Sequence, residues 1–353
     1  AQQAAPLHGS AIKSRSRMIV RLIVRRLMFL VVVLLGLSII TFSLSHLVPA
    51  DPARMMAGPR ASRSAVERIR QQHGLDDPVW QQYVSYVEGV AQLDFGTSFV
   101  TRREVREDLG RHLPATFELG LFAFILATMV GIPLGVASAV KRDSAIDHIS
   151  RFVSISGLAL PVFWLALMAQ FLFFSKLEWL PDGERLPQSV DAPPAVTRLY
   201  VIDAALAGQW DVMWLAIQHL ILPVVVLAYG SLAVVTRMIR GGMLEVLNQD
   251  YVRTARAKGL TNNTVVLRHA LKNALLPTVT QLGLQVGLLL SGAFLVEIVF
   301  SWPGIGRYAV NAVEKLDYNA IMTTTLVIAL VFVLMNLVVD ILYLFLDPRI
   351  SYA

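Results

Sequence analysis

The densest set of chemically suited residues lies between Glu245 and Pro277. Arg253, Arg256, Lys258, Arg268 and Lys272 stand there against Glu245 and Asp250, between two long apolar runs. Met243, Leu244, Leu247, Tyr251, Thr254, Ala255 and Lys258 recur at helical spacing, so the first half of the stretch predicts a helix. Gly259 stands where that helix should stop, because glycine alone takes the left-handed conformation without steric cost. Thr261 or Asn262 can cap a second helix carrying Val265, Leu267, Leu271 and Leu275, and Pro277 marks the entry to the next apolar run. Two short amphipathic helices hinged at Gly259–Leu260 and held by flanking spans make a rigid charged knob. Its chemistry is docking to a soluble partner; the plainer alternative is an amphipathic loop lying on a surface.

Catalytic chemistry finds little support. There is no cysteine, which removes disulfides, thiolate metal sites and a cysteine nucleophile. No phosphate-binding loop of the Gly-x4-Gly-Lys-Ser/Thr type occurs, and the dipeptide Gly-Lys is absent, so the chain is not itself a phosphate-loop ATPase. The histidines are scattered without metal-ligand spacing. Gly304-Ile305-Gly306 follows Trp302-Pro303 rather than a strand and reads as a turn, not a dinucleotide fingerprint. No nucleophile–base pair stands out. An energy-driven role therefore needs an external ATPase, docked on the charged loop.

The elements that must position this loop are membrane spans. Mean hydropathy is +0.58, with 55% hydrophobic and 16% charged residues, which points to an all-α polytopic membrane protein. Residues 1–26 form a polar segment, irregular up to Met18 and ending in Arg21, Arg25 and Arg26. Leu27–Val48 is long enough to cross about 30 Å of hydrocarbon. The same pattern could open a signal peptide, but the run is too long and no small-residue cleavage site follows. Residues 49–112 form a long extramembrane segment. Ser64–His73 predicts a helix with Ser64 as N-cap and Glu67 completing a capping box, and Val79–Leu93 predicts another. They suit either contact with a solute-delivering protein or a lid over the spans.

Five further runs follow: Leu113–Val140, Ile149–Phe174 broken by Gly157 and Pro161, Trp214–Val235, Thr278–Phe300 and Asn319–Leu346. Six spans put both termini on one side. The basic excess of the N-terminal segment and of residues 237–272 falls on that side, which the positive-inside rule makes cytoplasmic. The same rule explains the net charge of +6 without nucleic acid. Residues 176–211 are acidic and proline-rich, as an outer loop should be. Polar groups within spans are costly and mark function or packing. Gln281, Gln285 and Ser291 are the candidates for a polar path wall, with interhelical hydrogen bonding as the alternative. Asn336 and Asp340 share a face of the last span, and Glu118, His219 and Glu297 lie near span ends.

The run YVRTARAKGL followed by LRHALKNALLP resembles the EAA loop of ABC importer permeases, in the dipeptide/oligopeptide branch. Gly259 fits that pattern and Ala255 matches its second alanine; Thr254 replaces the first and Arg253 the glutamate. Further on, His269 and Leu271 fall on the pattern's isoleucine and leucine, and Lys272 on its proline. LVPADP, LGRHLPATFELG and FSWPGIGR extend the likeness over nearly the whole chain.

The resemblance implies a type I importer permease: a first span 27–48, an external segment 49–112, a core 113–346 with spans two to six and the coupling loop 237–277, and an inner tail 347–353. It implies alternating access in a bacterial inner membrane. The partners it implies are a homologous second permease, two cytoplasmic ATPases, an external binding protein and membrane lipids. It implies no cofactor or metal in this chain; ATP and magnesium belong to the ATPases. Coupling then falls to Asp250, Arg253, Thr254, Ala255, Arg256, Ala257, Lys258, Gly259 and Leu260. Ala255 and Ala257 would allow close approach, Arg256 and Lys258 charge pairing, and Gly259 the hinge. The cargo implied is dipeptides or short oligopeptides, with nickel, glutathione or another small solute as alternatives. Outside the family stand a secondary transporter, which needs no docking loop, and a membrane-embedded enzyme, which needs acid/base groups not found here.

Overall fold

A computed structural model describes residues 7–47, 51–58, 60–72 and 74–346. The N-terminal residues 1–6, the LVPADP residues 48–50, His73, the tail 347–353 and the side chain of Ser291 lie outside the described residues. The regular elements among the described residues are helices, with one isolated bridge between Thr97 and Glu104. In chain order the helices are α1 (Leu7–Leu47), α2 (Pro52–Ala57), α3 (Arg63–Gln72), α4 (Val79–Ala91), α5 (Val105–Val140), α6 (Ala145–Ala159) and α7 (Val162–Ala169). There follow α8 (Tyr200–Leu206), α9 (Trp210–Val246), α10 (Asp250–Ala257), α11 (Asn262–Thr264), α12 (Leu271–Val299), α13 (Ile305–Glu314) and α14 (Tyr318–Leu346). π-helical turns at Gln170–Lys176 and Val265–Ala270 extend α7 and lead into α12.

Several boundaries differ from those read in the sequence. Helix α1 begins at Leu7, so the segment expected to be irregular up to Met18 is helical there. Ser62, not Ser64, caps α3: its hydroxyl accepts from the Ala65 N–H at 3.3 Å, and two serines so close together leave the sequence unable to pick one. Helix α9 runs eleven residues past the expected end at Val235, because a helix leaving the bilayer need not stop at its edge. Position 277 lies inside α12 rather than at its start.

The chain forms two compact units, one holding the described residues up to Gly110 together with Ala309–Ile341, the other Arg111–Tyr308. In the first, Phe42 of α1 packs with Tyr318 and Met322 of α14 and with Tyr83 and Tyr86 of α4. Arg26 of α1 forms an ion pair with Asp340 of α14, which gives that costly intramembrane carboxylate its partner. A tight turn after α4 is held by Asp317, which accepts from Ser98 Oγ at 2.5 Å and from the Val100 N–H at 3.2 Å.

In the second unit, α5, α9 and α12 build the core from Leu119, Ala123, Leu220, Leu227, Ala293 and Val296. Small residues bring the helices close. A Cβ at Gly135 would lie 2.8 Å from Ile239 of α9, and one at Gly157 would lie 2.7 Å from Ala233. Among the described residues, four helices are long and apolar enough to cross a membrane: Ile23–His46, Val105–Val140, Trp210–Val246 and Tyr318–Val338. The third apolar run is not one straight span. It bends by 110° between α6 and α7, where Pro161 cannot continue the hydrogen-bond ladder. The broken pair still carries the chain between the two ends of the unit. Asp147 meets Ser138 at the C-terminal end of α5, while Arg185, beyond the pair, meets Glu118 near its N-terminal end.

Candidate functional site

The docking loop is built on the end of α9. The helix stops at Val246, turns through residues 247–249 and restarts as α10, so the expected single helix from Met243 to Lys258 is two. Val252 and Ala255 on the inner face of α10 are buried against Val265, with Val246 and Leu247 packed beside them. Ala255 thus serves the chain's own core, whereas Ala257 is exposed. Tyr251 ties α10 to α12 by accepting from Asn273 Nδ2 at 2.7 Å. Gly259 ends α10 with φ +76°. The Leu260 N–H reaches back to the Ala255 carbonyl at 3.4 Å, the six-to-one bond of a Schellman cap.

The outer face carries Arg253, Thr254, Arg256 and Lys258, all exposed, with Asp250 98% exposed at its start. The contact between Arg253 and Asp250 is 3.7 Å long and solvated, and such pairs contribute about 0–1 kcal/mol. Leu260 and Leu267 are 40% and 60% exposed nearby. Exposed cations on a short helix fixed from beneath suit recognition by another protein.

Of the path candidates, Gln285 of α12 is buried and accepts from Ser231 of α9 at 3.0 Å. Gln281 lies one turn earlier and is half-buried. The bond to Ser231 is of the interhelical packing kind.

At the other end of the unit lies a polar network that sequence spacing did not reveal. Glu118 of α5 is buried and accepts from Arg185 at 2.5 and 3.2 Å and from the Val201 N–H at 3.0 Å. Arg185 also donates to the Arg198 carbonyl at 3.0 Å and lies 3.4 Å over the Tyr200 ring. Glu297, at the end of α12, is wholly buried; it accepts from Thr116 Oγ1 at 2.5 Å and from the Arg307 N–H at 2.9 Å. Thr116 in turn accepts from the Ile305 N–H at 2.8 Å. The turn at Gly304–Gly306 therefore wraps a carboxylate, and a Cβ at Gly304 would collide with it. Trp302 donates its indole N–H to the Ala115 carbonyl at 2.9 Å. In the outer loop, Asp203 accepts from the Thr197 hydroxyl and from the N–H groups of Val196, Thr197 and Arg198. Burial works against its charge, but these donors outweigh burial and hold the carboxyl below its usual range. Glu118 and Glu297 were visible as charges near span ends; their partners, 67 and 181 residues away, were not. Among the described residues no three His, Asp or Glu side chains gather as a metal would require.

Residues 131–352 match the family described as binding-protein-dependent transport system inner membrane component. The chain belongs to that family. Residues 19–120 match the N-terminal component of the same membrane proteins. This permease is 49% identical over 322 residues to the probable D,D-dipeptide transport system permease protein DdpB of Escherichia coli (strain K12), covering 91% of this chain and 95% of that one. It is 46% identical over 329 residues to the dipeptide transport system permease protein DppB of Alkalihalophilus pseudofirmus, covering 93% and 98%. It is 38% identical over 330 residues to the glutathione transport system permease protein GsiC of E. coli (strain K12), covering 94% and 98%. The permease is therefore an integral membrane transport component, all-helical, of the type I importer class.

Proposed function

We propose that this permease imports dipeptides or short oligopeptides by alternating access, driven by ATPase subunits that dock on Asp250–Leu260. It carries no ATPase site of its own; ATP and magnesium act on two cytoplasmic partners. A homologous permease completes the path, and an external binding protein delivers cargo. Both termini face the cytoplasm of a bacterial inner membrane. The basic N-terminal segment and the basic loop 237–277 support that orientation.

The observation that carries the reading is α10 itself. Its inner face is fixed by Val252, Ala255 and Tyr251, while its cations are left without buried partners. Cargo rests on the printed names of the similar permeases. Two are dipeptide systems; the glutathione system, at 38% identity, supports the second reading of a modified tripeptide.

The test is ATP hydrolysis and uptake by the membrane complex, with Gly259→Pro or Arg256→Glu, with and without binding protein and dipeptide. The expected outcome is loss of assembly or of dipeptide-stimulated hydrolysis. Wild-type behaviour of both variants would instead favour an ATPase-independent transporter. Competition of dipeptide uptake by glutathione separates the two cargoes.

A further inference from the structure

Asp147 opens α6, and its side chain is wholly buried. Five contacts converge on it. Ser138 Oγ of α5 donates at 2.6 Å and the Asp143 N–H at 3.1 Å. Arg240 of α9 donates from Nε at 2.7 Å to one carboxylate oxygen and from a terminal nitrogen at 3.1 Å to the other. Arg151, one turn along α6, lies 3.2 Å away. Arg240 Nε also approaches Ser138 Oγ at 3.1 Å. One carboxylate thus ties α5, α6 and α9 together at the end of the unit that bears α10.

Packing alone does not call for this cluster. The α5–α9 and α6–α9 crossings are already closed by Gly131, Gly135 and Gly157 against α9. Close crossings of small residues resist separation but give little resistance to sliding or rotation. A two-toothed guanidinium–carboxylate pair fixes both, because its geometry is directional. Arg240 is also mechanically continuous with the docking helix. Val246 and Leu247 belong both to the cluster beneath α10 and to the cluster of Ile239, Met243 and Ala270 that runs along α9.

We propose that Asp147 is the positioning residue that passes displacement of α10, through Arg240, into α5 and α6, so that the three helices move as one body. The inference rests on the reading of α10 as the site where ATPases dock.

The test uses the complete transporter in proteoliposomes with binding protein and Ala-Ala, recording uptake and ATP hydrolysis together. Asp147→Asn keeps the shape and removes the charge. Uptake per ATP should fall about ten-fold while hydrolysis persists and no longer responds to binding protein, as expected for a lost coupling free energy. Arg240→Lys keeps the charge but not the fork, and should lower the ratio roughly three-fold. Glu118→Gln removes an equally buried charge at the opposite end; it should lower thermal stability and leave the ratio unchanged. If uptake and hydrolysis fall in parallel in the Asp147 and Arg240 variants, as a purely packing role requires, the proposal is overturned. If Asp147→Asn does not assemble, Arg240→Lys decides alone. A wild-type complex without peptide-stimulated hydrolysis would remove the importer reading itself, a result separate from any change among the variants.

Discussion

Near Glu118 and Glu297, at the N-terminal end of α5, the charges are buried and matched within the chain. At the α10 end the pattern is mixed: Asp147 is matched and buried, while Asp250, Arg253, Arg256 and Lys258 stand in solvent on the helix that follows α9. The first arrangement fixes a shape, since a buried charge is tolerable only with its donors in place. The second leaves cations on a helix whose backbone is anchored from below. Charges that have no work inside the chain are available to a partner.

That contrast can be broken or sharpened by substitution. The largest effect should come from Arg185→Ala, which strands Glu118 in a buried position; breaking such a pair costs about 3–5 kcal/mol. Thermal unfolding in detergent should show a markedly lower midpoint. Glu297→Ala leaves the Thr116 hydroxyl and the Arg307 N–H without their acceptor, and should cost about 2–3 kcal/mol by the same measurement. A smaller effect is expected at Asp203, and it fades in acid. Its carboxyl is depressed in the fold, so its stabilisation is complete above the unfolded value of about 3.9 and is lost as pH falls through the folded value. Asp203→Asn should therefore flatten the acid limb of a stability–pH curve. An unchanged limb would mean that the four donors do not favour the charged form. The smallest effect on stability should follow Arg256→Glu, with no measurable change in melting because the side chain is exposed. A large loss there would show that the cations of α10 serve the fold rather than a partner.

Much of the architecture was legible because the bilayer imposes a coarse rule on sequence. Apolar runs at 113–140, 214–235 and 319–346 each fall within a helix long enough to span, as does the described part of the run at 27–48. Gly259 was legible too, since a left-handed cap leaves glycine little competition. What sequence spacing could not give was anything set by distant partners. Gly304-Ile305-Gly306 reads as a turn, but its reason is the carboxylate of Glu297 lying against it. Asp147, between two apolar runs, and Arg240, in the basic stretch 237–272, have no spacing that joins them until α5, α6 and α9 bring them together. Ala255 carries the pattern of a docking helix, yet faces inward, because period alone does not say which side of a short helix the rest of the chain will cover.

The carboxylate wrapped by the Gly304–Gly306 turn also sets a timetable. Thr116 precedes Glu297 by 181 residues, and Ala115 precedes Trp302 by 187. A ribosome adding about 5–20 residues per second needs roughly 10–40 s to cover that interval. Throughout it, the start of α5 has been made but its closing partners do not yet exist. This part of the permease is begun long before it can be finished, so a chain cut short anywhere between α5 and the turn carries an open, polar helix end.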